Sequence, residues 1–539
     1  MRYATLGIII LLLLLSVALG IGVSSAWFIP VLLLGPLSAL GVWDLVQSEH
    51  TLRRLYPLSA HIRWFFEWLR PYMREYMLDN DADGRPFSHD QRALVYRRAK
   101  NVESVQAFGS KLNFYSEGYE WINHSLQGTR QAVDEYRVLI GGDCCSKPYS
   151  ASVFNVSAMS FGSLSGRAIE ALNLGAKLGG FYHDTGEGGI SRHHLVNGGD
   201  LVWEIGTGYF GCRTSDGGFD SKAFAARAAL EEVKMIEVKL GQGAKPGQGG
   251  LLPGAKVTQE IADARGVPLG RDVHSPPNHQ AFSTPTGLLR WIEELRGLAS
   301  GKPVGIKLCI GHRWEFLALT KAMLKTGITP DFIVIDGAEG GTGAAPAELA
   351  NHVGTPLREG LVFVVNALRG TNLRDRIRIG VAGKIIDGHD LAANLALGAD
   401  WCNAARAYMF AIGCVQTKKC HTDKCPTGVA TQNPLRQAGL IVADKGPRAY
   451  HFHRNTVLAL SHYVGAAGLT NPWELRPHHL NVRVDETEVH SADRLYEFIA
   501  PGALLQEPEA TPYSRWWDMA DAETFAPYLR SSPEVIAGR

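Results

Sequence analysis

Over 539 residues the sequence has almost no charge of one sign to spare: 54 Lys and Arg stand against 53 Asp and Glu, a formal net charge of +1. Without a cationic excess, and with no basic stripe interleaved with aromatics, the attraction that drives nucleic-acid binding is missing, and that class is set aside. The composition of a disordered chain is missing too, since 45% of residues are hydrophobic and only 20% charged, the proportions of a globular enzyme with a large core. Cysteine is scarce, at eight, and unevenly spread. Cys309 and Cys402 lie in apolar, strand-like runs, whereas Cys414, Cys420 and Cys425 crowd one loop, the usage of a reducing compartment with one cysteine-rich site. Glycine is abundant instead, at 59, and implies many tight turns and close backbone approaches.

Charge is absent from Leu6 to Val23, and after Ser24-Ser25-Ala26 a second apolar run extends from Trp27 to Val46. Each is close to the roughly 20 residues that cross a bilayer as a helix. A cleaved secretory signal would leave the second run behind, so 1–48 is expected to form a two-helix membrane hairpin. Arg53, Arg54, Arg63, Arg70 and Arg74 follow it, Arg2 precedes it, and the turn between the runs has neither Lys nor Arg. By the positive-inside tendency both ends and the main body face the cytoplasm, as in a bacterial-type inner membrane. The stretch from Ile62 to Met77 mixes Trp, Phe and Tyr with Arg, and suits either a helix at the lipid headgroups or one packed on the body. The whole of 49–150 is read as a helical linker.

From Ser152 onward β-rich runs alternate with helical patterns. Strands are expected near 153, 180, 201, 235, 303, 331, 376 and 400, and helices over Gly166 to Leu178, Thr284 to Leu298 and Trp314 to Thr326. The glycine-rich stretches follow several different strands, as loops ringing one end of a closed barrel do, which favours a (β/α)8 barrel over 151–440 above an open doubly wound sheet. Segment 441–539 has no repeat and is expected to be a mostly helical extension around the barrel.

The cysteine loop, GCVQTKKCHTDKCPTGVATQ within 412–430 and just beyond, spaces Cys414, Cys420 and Cys425 as thiolate ligands for iron-sulfur, or with His421 for zinc. KLGQGAKPGQGGLLPGAKV from Lys239 to Val257 holds six glycines that allow backbone to approach a ligand, with Lys239, Lys245 and Lys256 for positive charge and Gln242 as donor and acceptor. SPPNH stiffens Ser275 to His279 through Pro276 and Pro277. AMSFGSLSGRA carries Met159, Ser160, Gly162, Ser163 and Ser165 at a helix start, DTGEGGIS sets Glu187 among glycines, and DGAEGGTGAA offers Gly340, Gly341, Thr342 and Gly343, all suited to anions. Ala382-Gly383-Lys384 and Ala404-Ala405-Arg406 follow the last two strands, where barrels commonly hold a phosphate. Gly206, Gly208 and Gly211 spell a dinucleotide signature, but a turn-rich run follows where a helix is required, so no NAD site is assigned there.

In that order, SFGSLS, TGEGG, GQGAKPGQGG, SPP with a following His, EGGTGA and CPTGVATQ resemble the FMN-binding synthase domain of glutamate synthase over roughly Val153 to Leu440. The resemblance implies FMN at the barrel mouth and a 3Fe-4S cluster on Cys414, Cys420 and Cys425. It implies Lys307 near the flavin ring, Gly383 and Lys384 with Ala405 and Arg406 at the phosphate, and Met159 to Ser163 with Gly340, Gly341 and Thr342 around the cofactor. Lys239, Gln242 and Glu187 become the catalytic set, and Lys245, Ser275 and His279 the substrate set. The implied chemistry is hydride transfer between FMN and a 2-imino acid or amino acid such as 2-iminoglutarate or glutamate, within glutamate biosynthesis. The family's amidotransferase domain, its later glycine-repeat β-helix and a pyridine-nucleotide fold have no counterpart, so glutamine hydrolysis is not expected, and electrons are expected to pass to or from a ferredoxin, another flavoprotein or a quinone. Ala382 stands where the family has Asp, and Arg406 where a small residue is usual. Two alternatives remain open: an FMN oxidoreductase for another small acid or amine coupled to the quinone pool, and an electron-transfer module without turnover.

Overall fold

The computed structural model describes residues 2–103, 105–130 and 136–528, and its chain divides into one unit ending at Gln91 and another beginning at Arg92. Positions 529–539 of the C-terminal extension lie outside the described residues.

In the first unit the two apolar runs are helices α1 (Ala4–Gly22) and α2 (Val31–Val46), joined by a 3-10 turn at Ser25–Phe28. Both are long and apolar enough to cross a membrane. Small residues let them close on each other: a Cβ on Gly41 would lie 2.4 Å from the Leu6 side chain, and Ser16 Oγ donates to the Trp27 carbonyl at 2.7 Å. Helix α3 (Ser59–Met73) follows. Its start is tied to the end of α2 by Asp44, a buried carboxylate that accepts from the Leu58 amide and pairs with His61 Nε2, both at 2.9 Å. An acid within an apolar helix is costly unless so paired, and here it fixes the corner between the two helices.

In the second unit a hairpin, β1 (Arg137–Ile140) and β2 (Tyr149–Ser152), precedes the barrel. The strands and crossovers then run β3 (Phe154–Val156), α4 (Gly166–Gly179), β4 (His183–Asp184), β5 (Leu201–Ile205), α5 (Ser221–Ala228) and β6 (Val233–Lys239). They continue as α6 (Pro285–Leu298), β7 (Val304–Leu308), α7 (Arg313–Thr326), β8 (Phe332–Asp336), α8 (Leu357–Gly370), β9 (Arg378–Ala382), α9 (Gly388–Ala396), β10 (Trp401–Ala404), α10 (Arg406–Ala411) and α11 (Val442–Ala466). β3 to β10 are parallel and close through Cys402 against Phe154 and Ala404 against Val156, so the eight-stranded barrel expected from the alternation is present. The helices form where the sequence caps them. Ser165 accepts from the Ala168 amide at the start of α4, which ends on the left-handed Gly180, and Thr284 accepts from the Gly287 amide at the start of α6. α6 buries Leu288, Leu289, Ile292 and Leu295 on one face.

Among the described residues of 49–150, read as helical, the α-helices end at Ala99, and strands with a 3-10 turn at Gly142–Cys144 follow. Alternation in the hairpin turns Val138, Ile140, Tyr149 and Ala151 onto Tyr182, Val202, Met235, Phe332, Val334 and Trp401 at the amino ends of the barrel strands. A two-stranded ribbon covers that end because period-two burial pays for strands, not a helix. Cys309, expected in a strand, lies just past β7 and is only half-buried. The extension is mostly helical, led by α11 on α4, with a small sheet in which Glu120–Ile122 pairs with Leu480–Arg483.

Candidate active site

Charged residues inside the strands build the site from below. β5 carries Glu204, β6 carries Glu237 and Lys239, β7 carries Lys307, and Asp184 and Asp336 end β4 and β8. Glu204, Glu237 and Lys307 are each at most 4% exposed. The Lys307 ammonium hydrogen-bonds Glu204 and lies 3.3 Å from Glu237 Oε1, and oxygens of Asp184, Glu204 and Glu237 all fall within 4.8 Å of one another. Burial alone would push the Lys307 ammonium down, but Glu204, Glu237 and Asp184 raise it well above its ordinary value, so it stays charged. Burial also pushes the Glu237 carboxyl up to about 7 against the pull of Lys307, and raises Asp184 well above the carboxylate range. Three carboxylates around one ammonium cannot all ionise in a dry interior.

One layer higher, Lys239 Nζ donates to Glu187 Oε2 at 3.0 Å and to Gln242 Oε1 at 2.9 Å. Burial pushes the Glu187 carboxyl up, yet Lys239 and Arg265 more than reverse it and hold it below the usual range. Lys245, 3% exposed, has no hydrogen-bond or ion-pair partner for its ammonium among the described residues. The glycine-rich loop reaches this point because its glycines admit contacts no side chain could: a Cβ on Gly243 would lie 1.7 Å from the Gly337 carbonyl, and one on Gly250 2.2 Å from Glu187 Oε1.

His279 is held behind the site. Its Nε2 meets the Lys239 carbonyl at 2.9 Å, and its Nδ1 faces the Tyr209 hydroxyl, which also accepts from the Gln280 and Ala281 amides. A ring donating from Nε2 and accepting at Nδ1 is neutral, in keeping with burial pulling it down to about 4. Ser275 is buried, its amide on the Gly250 carbonyl. Tyr209, at φ 49°, gives the glycine signature at 206–211 a supporting role for the SPPNH loop.

Residues expected around a cofactor line the mouth. Every carbonyl from Phe161 to Leu164 accepts a hydrogen bond from a buried side chain: Arg265 on Phe161, Gln432 on Gly162 and Leu164, and Lys256 on Ser163. Met159 is buried, and Ser160 Oγ donates to Ser163 Oγ at 3.0 Å. Gly341 and Thr342 are exposed beside Gly340, and Arg406 lies against Gly341 while donating to the Glu339 carbonyl at 2.6 Å. A Cβ on Gly383 would lie 3.6 Å from Glu339 Oε2, Lys384 follows it at φ 51°, and Ala405 caps α10.

The cysteine loop sits beside this mouth. A Cβ on Gly343 would lie 3.2 Å from Cys420 Cβ. Tyr96 donates to the Cys414 carbonyl at 2.7 Å, the Gln416 amide points at Cys414 Sγ, and Thr427 at Cys425 Sγ, both at 3.5 Å. Burial pushes Cys414 up to about 12; at Cys425 burial acts the same way but is outweighed by Thr427 and the Ala430 and Val429 amides, which together hold it below its ordinary value. Iron-sulfur clusters are held by Cys thiolates and tuned by hydrogen bonds of this kind to the sulfurs. The donor set fits the cluster.

A family model described as "Conserved region in glutamate synthase" matches residues 126–469. The chain belongs to the glutamate synthase family. Within it, the glutamate synthase large subunit-like protein YerD of Bacillus subtilis is 36% identical over 498 residues, 85% of this chain and 94% of that protein. The archaeal-type glutamate synthase (NADPH) of Thermotoga neapolitana is 34% identical over 329 residues, 59% of this chain and 60% of its own length. Among solved structures, a mutant flavocytochrome b2 with pyruvate bound has TM-score 0.39 at 15% identity, covering 77% of this chain and 90% of that one. A mandelate oxidase with a difluoro-hydroxy-phenylpropionic acid has TM-score 0.40 at 16% identity, covering 73% and 99%. Those likenesses are too slight to argue from. What reading the family's motifs missed was the floor beneath them, Asp184, Glu204, Glu237 and Asp336, signalled by acids at the ends of otherwise apolar strands.

Proposed function

We propose that this glutamate synthase-like chain is an FMN and iron-sulfur oxidoreductase that interconverts a 2-imino acid and its amino acid, with 2-iminoglutarate and glutamate as the leading pair. The observation that carries it is the buried Lys239, shared by Glu187 and Gln242, next to the unpartnered ammonium of Lys245. Two cations at the mouth suit a small acid's carboxylate, and where an amine develops the Lys239 ammonium offers a proton donor and the ionised Glu187 carboxylate an acceptor. When bound, FMN supplies hydride chemistry and the cluster one-electron steps. Gly340, Gly341, Thr342, Gly383, Lys384, Ala405 and Arg406 would hold the flavin phosphate side, Met159 to Ser163 and Lys307 the ring side, and Cys414, Cys420 and Cys425 the cluster. His279 and Ser275 serve this set by holding the loops that carry Lys239 and Gly250.

The test is a visible spectrum of detergent-purified protein, oxidised and reduced, titrated with 2-oxoglutarate and glutamate. Ligand-perturbed flavin overlaid by broad iron-sulfur absorption is expected. Lys239→Ala should keep both cofactors and weaken acid binding at least tenfold, and Cys420→Ser should remove the cluster signal and spare the flavin. Cofactors indifferent to both acids would move the weight to another small acid or amine.

The apolar pair α1 and α2 supports membrane anchorage. Beside it, α3 exposes Phe65, Phe66 and Trp68 together with Arg63, an aromatic and cationic face that suits lipid headgroups. Anchorage favours an electron partner at the membrane, a quinone or a docked ferredoxin or flavoprotein. Retention in the pellet after alkaline carbonate extraction checks it, and release into the supernatant would rule it out.

A further inference from the structure

One buried cation belongs to neither the acid site nor the phosphate loops. Lys256, 3% exposed in the 3-10 turn Gly254–Lys256, donates to the Ser163 carbonyl at 2.9 Å and to the Cys420 carbonyl at 3.3 Å. Ser163 belongs to the loop after β3, which lines the cofactor mouth, and Cys420 to the cysteine loop. A single ammonium thus bolts the two together. The joint is repeated by Gln432, just beyond the last cysteine, whose amide holds the Gly162 and Leu164 carbonyls, and by Gly343, pressed on Cys420. Gln432 is in turn fixed to the cysteine loop by its backbone N–H, which donates to Asp423 Oδ1 at 2.6 Å. The charge is more than the joint requires. Gln432 makes two equivalent carbonyl contacts with a neutral amide, so the ammonium at position 256, which burial and Arg265 pull down and Asp423, Cys420 and Cys425 draw back up, adds a positive charge beside the cysteine loop.

We propose that Lys256 is a positioning residue for electron exchange, which locks the cluster loop to the flavin-side loop and holds the reduction potential of the cluster up through its charge. The proposal rests on the reading of Cys414, Cys420 and Cys425 as cluster ligands. Reduction adds one electron to the cluster, and a positive charge fixed beside it in a poorly screened interior stabilises the reduced form more than the oxidised one. Removing the charge therefore lowers the potential and makes the step from flavin to cluster less favourable.

The experiment is a redox titration of full-length protein in detergent, followed by electron paramagnetic resonance for the cluster and by visible absorption for the flavin, with iron and FMN content measured on each sample. Lys256→Met is expected to move the cluster midpoint to lower potential with iron, FMN and the flavin midpoint unchanged, and Lys256→Arg to restore the wild-type value. A Lys256→Met protein with full iron and an unmoved cluster midpoint overturns the proposal. If Lys256→Met loses iron, Lys256→Gln, which keeps a donor without the charge, takes its place in the titration; a lowered midpoint there supports the role, and a wild-type midpoint or a second loss of iron ends it. Wild-type protein with no iron-sulfur signal is a separate failure, that of the ligand assignment.

Discussion

Lys307 counts the protons of the barrel interior. With Glu204, Glu237 and Asp184 gathered around it, Lys307→Met leaves Lys239, 4.0 Å from Glu204, as the remaining nearby cation for the buried carboxylates, a change expected to cost about 3–5 kcal/mol. A lower denaturant midpoint in detergent is the measure. Glu237 gives the sign of the pH dependence. Its folded value near 7 lies above the ordinary 4.5, so between those values the folded chain holds a proton that the unfolded chain has released, and stability falls as pH rises through that window. Glu237→Gln, which cannot ionise, is expected to flatten that fall between pH 5 and 7; thermal midpoints across the range would expose an unchanged slope. His279 acts in the opposite sense. Held neutral down to about 4, it makes the folded state lose ground to the unfolded one as pH drops below the ordinary imidazole value of 6.5.

At the scale of elements, the contact between α4 and α11 is set by small residues. A Cβ on Gly175 would lie 2.6 Å from Ala449 Cβ and 3.0 Å from the Gly446 carbonyl, so Gly175→Val must push the helices apart, at about 1–3 kcal/mol or more. Thermal unfolding should drop while the flavin content of folded protein stays constant, because neither helix reaches the mouth with this face. The barrel strands were legible because each is a short apolar run between turn signals, and the crossover helices because caps such as Ser165 and Thr284 announce them. The hairpin Arg137–Ile140 and Tyr149–Ser152 was not, since four-residue strands carry too few alternations to stand out from a charged, turn-rich stretch. The site was legible by loop and not by contact. Spacing marks Glu187 and Lys239 as members of glycine-rich loops, but their meeting across 52 positions, and the turning of His279 toward a backbone carbonyl, depend on how the barrel closes.

At the scale of the whole molecule, the two units differ in what they ask of their surroundings. The first exposes Leu11, Leu14, Leu32 and Leu33 on its helices and Phe65, Phe66 and Trp68 beyond them, large apolar side chains that suit a lipid surface better than water. Full-length protein is therefore expected to aggregate when detergent is diluted below its micellar concentration and to stay monodisperse in nanodiscs, as light scattering would register. The second unit keeps its chemistry at one end of the barrel, and at the other end Val138, Ile140, Tyr149 and Ala151 stopper the interior. Among the described residues that stopper leaves the loop end as the way in. On the proposed chemistry an acid would enter and its amino acid leave by that end, and binding of both to the Lys239 and Lys245 site of the same enzyme form predicts that raising glutamate increases the apparent KM for 2-oxoglutarate and leaves kcat where it was.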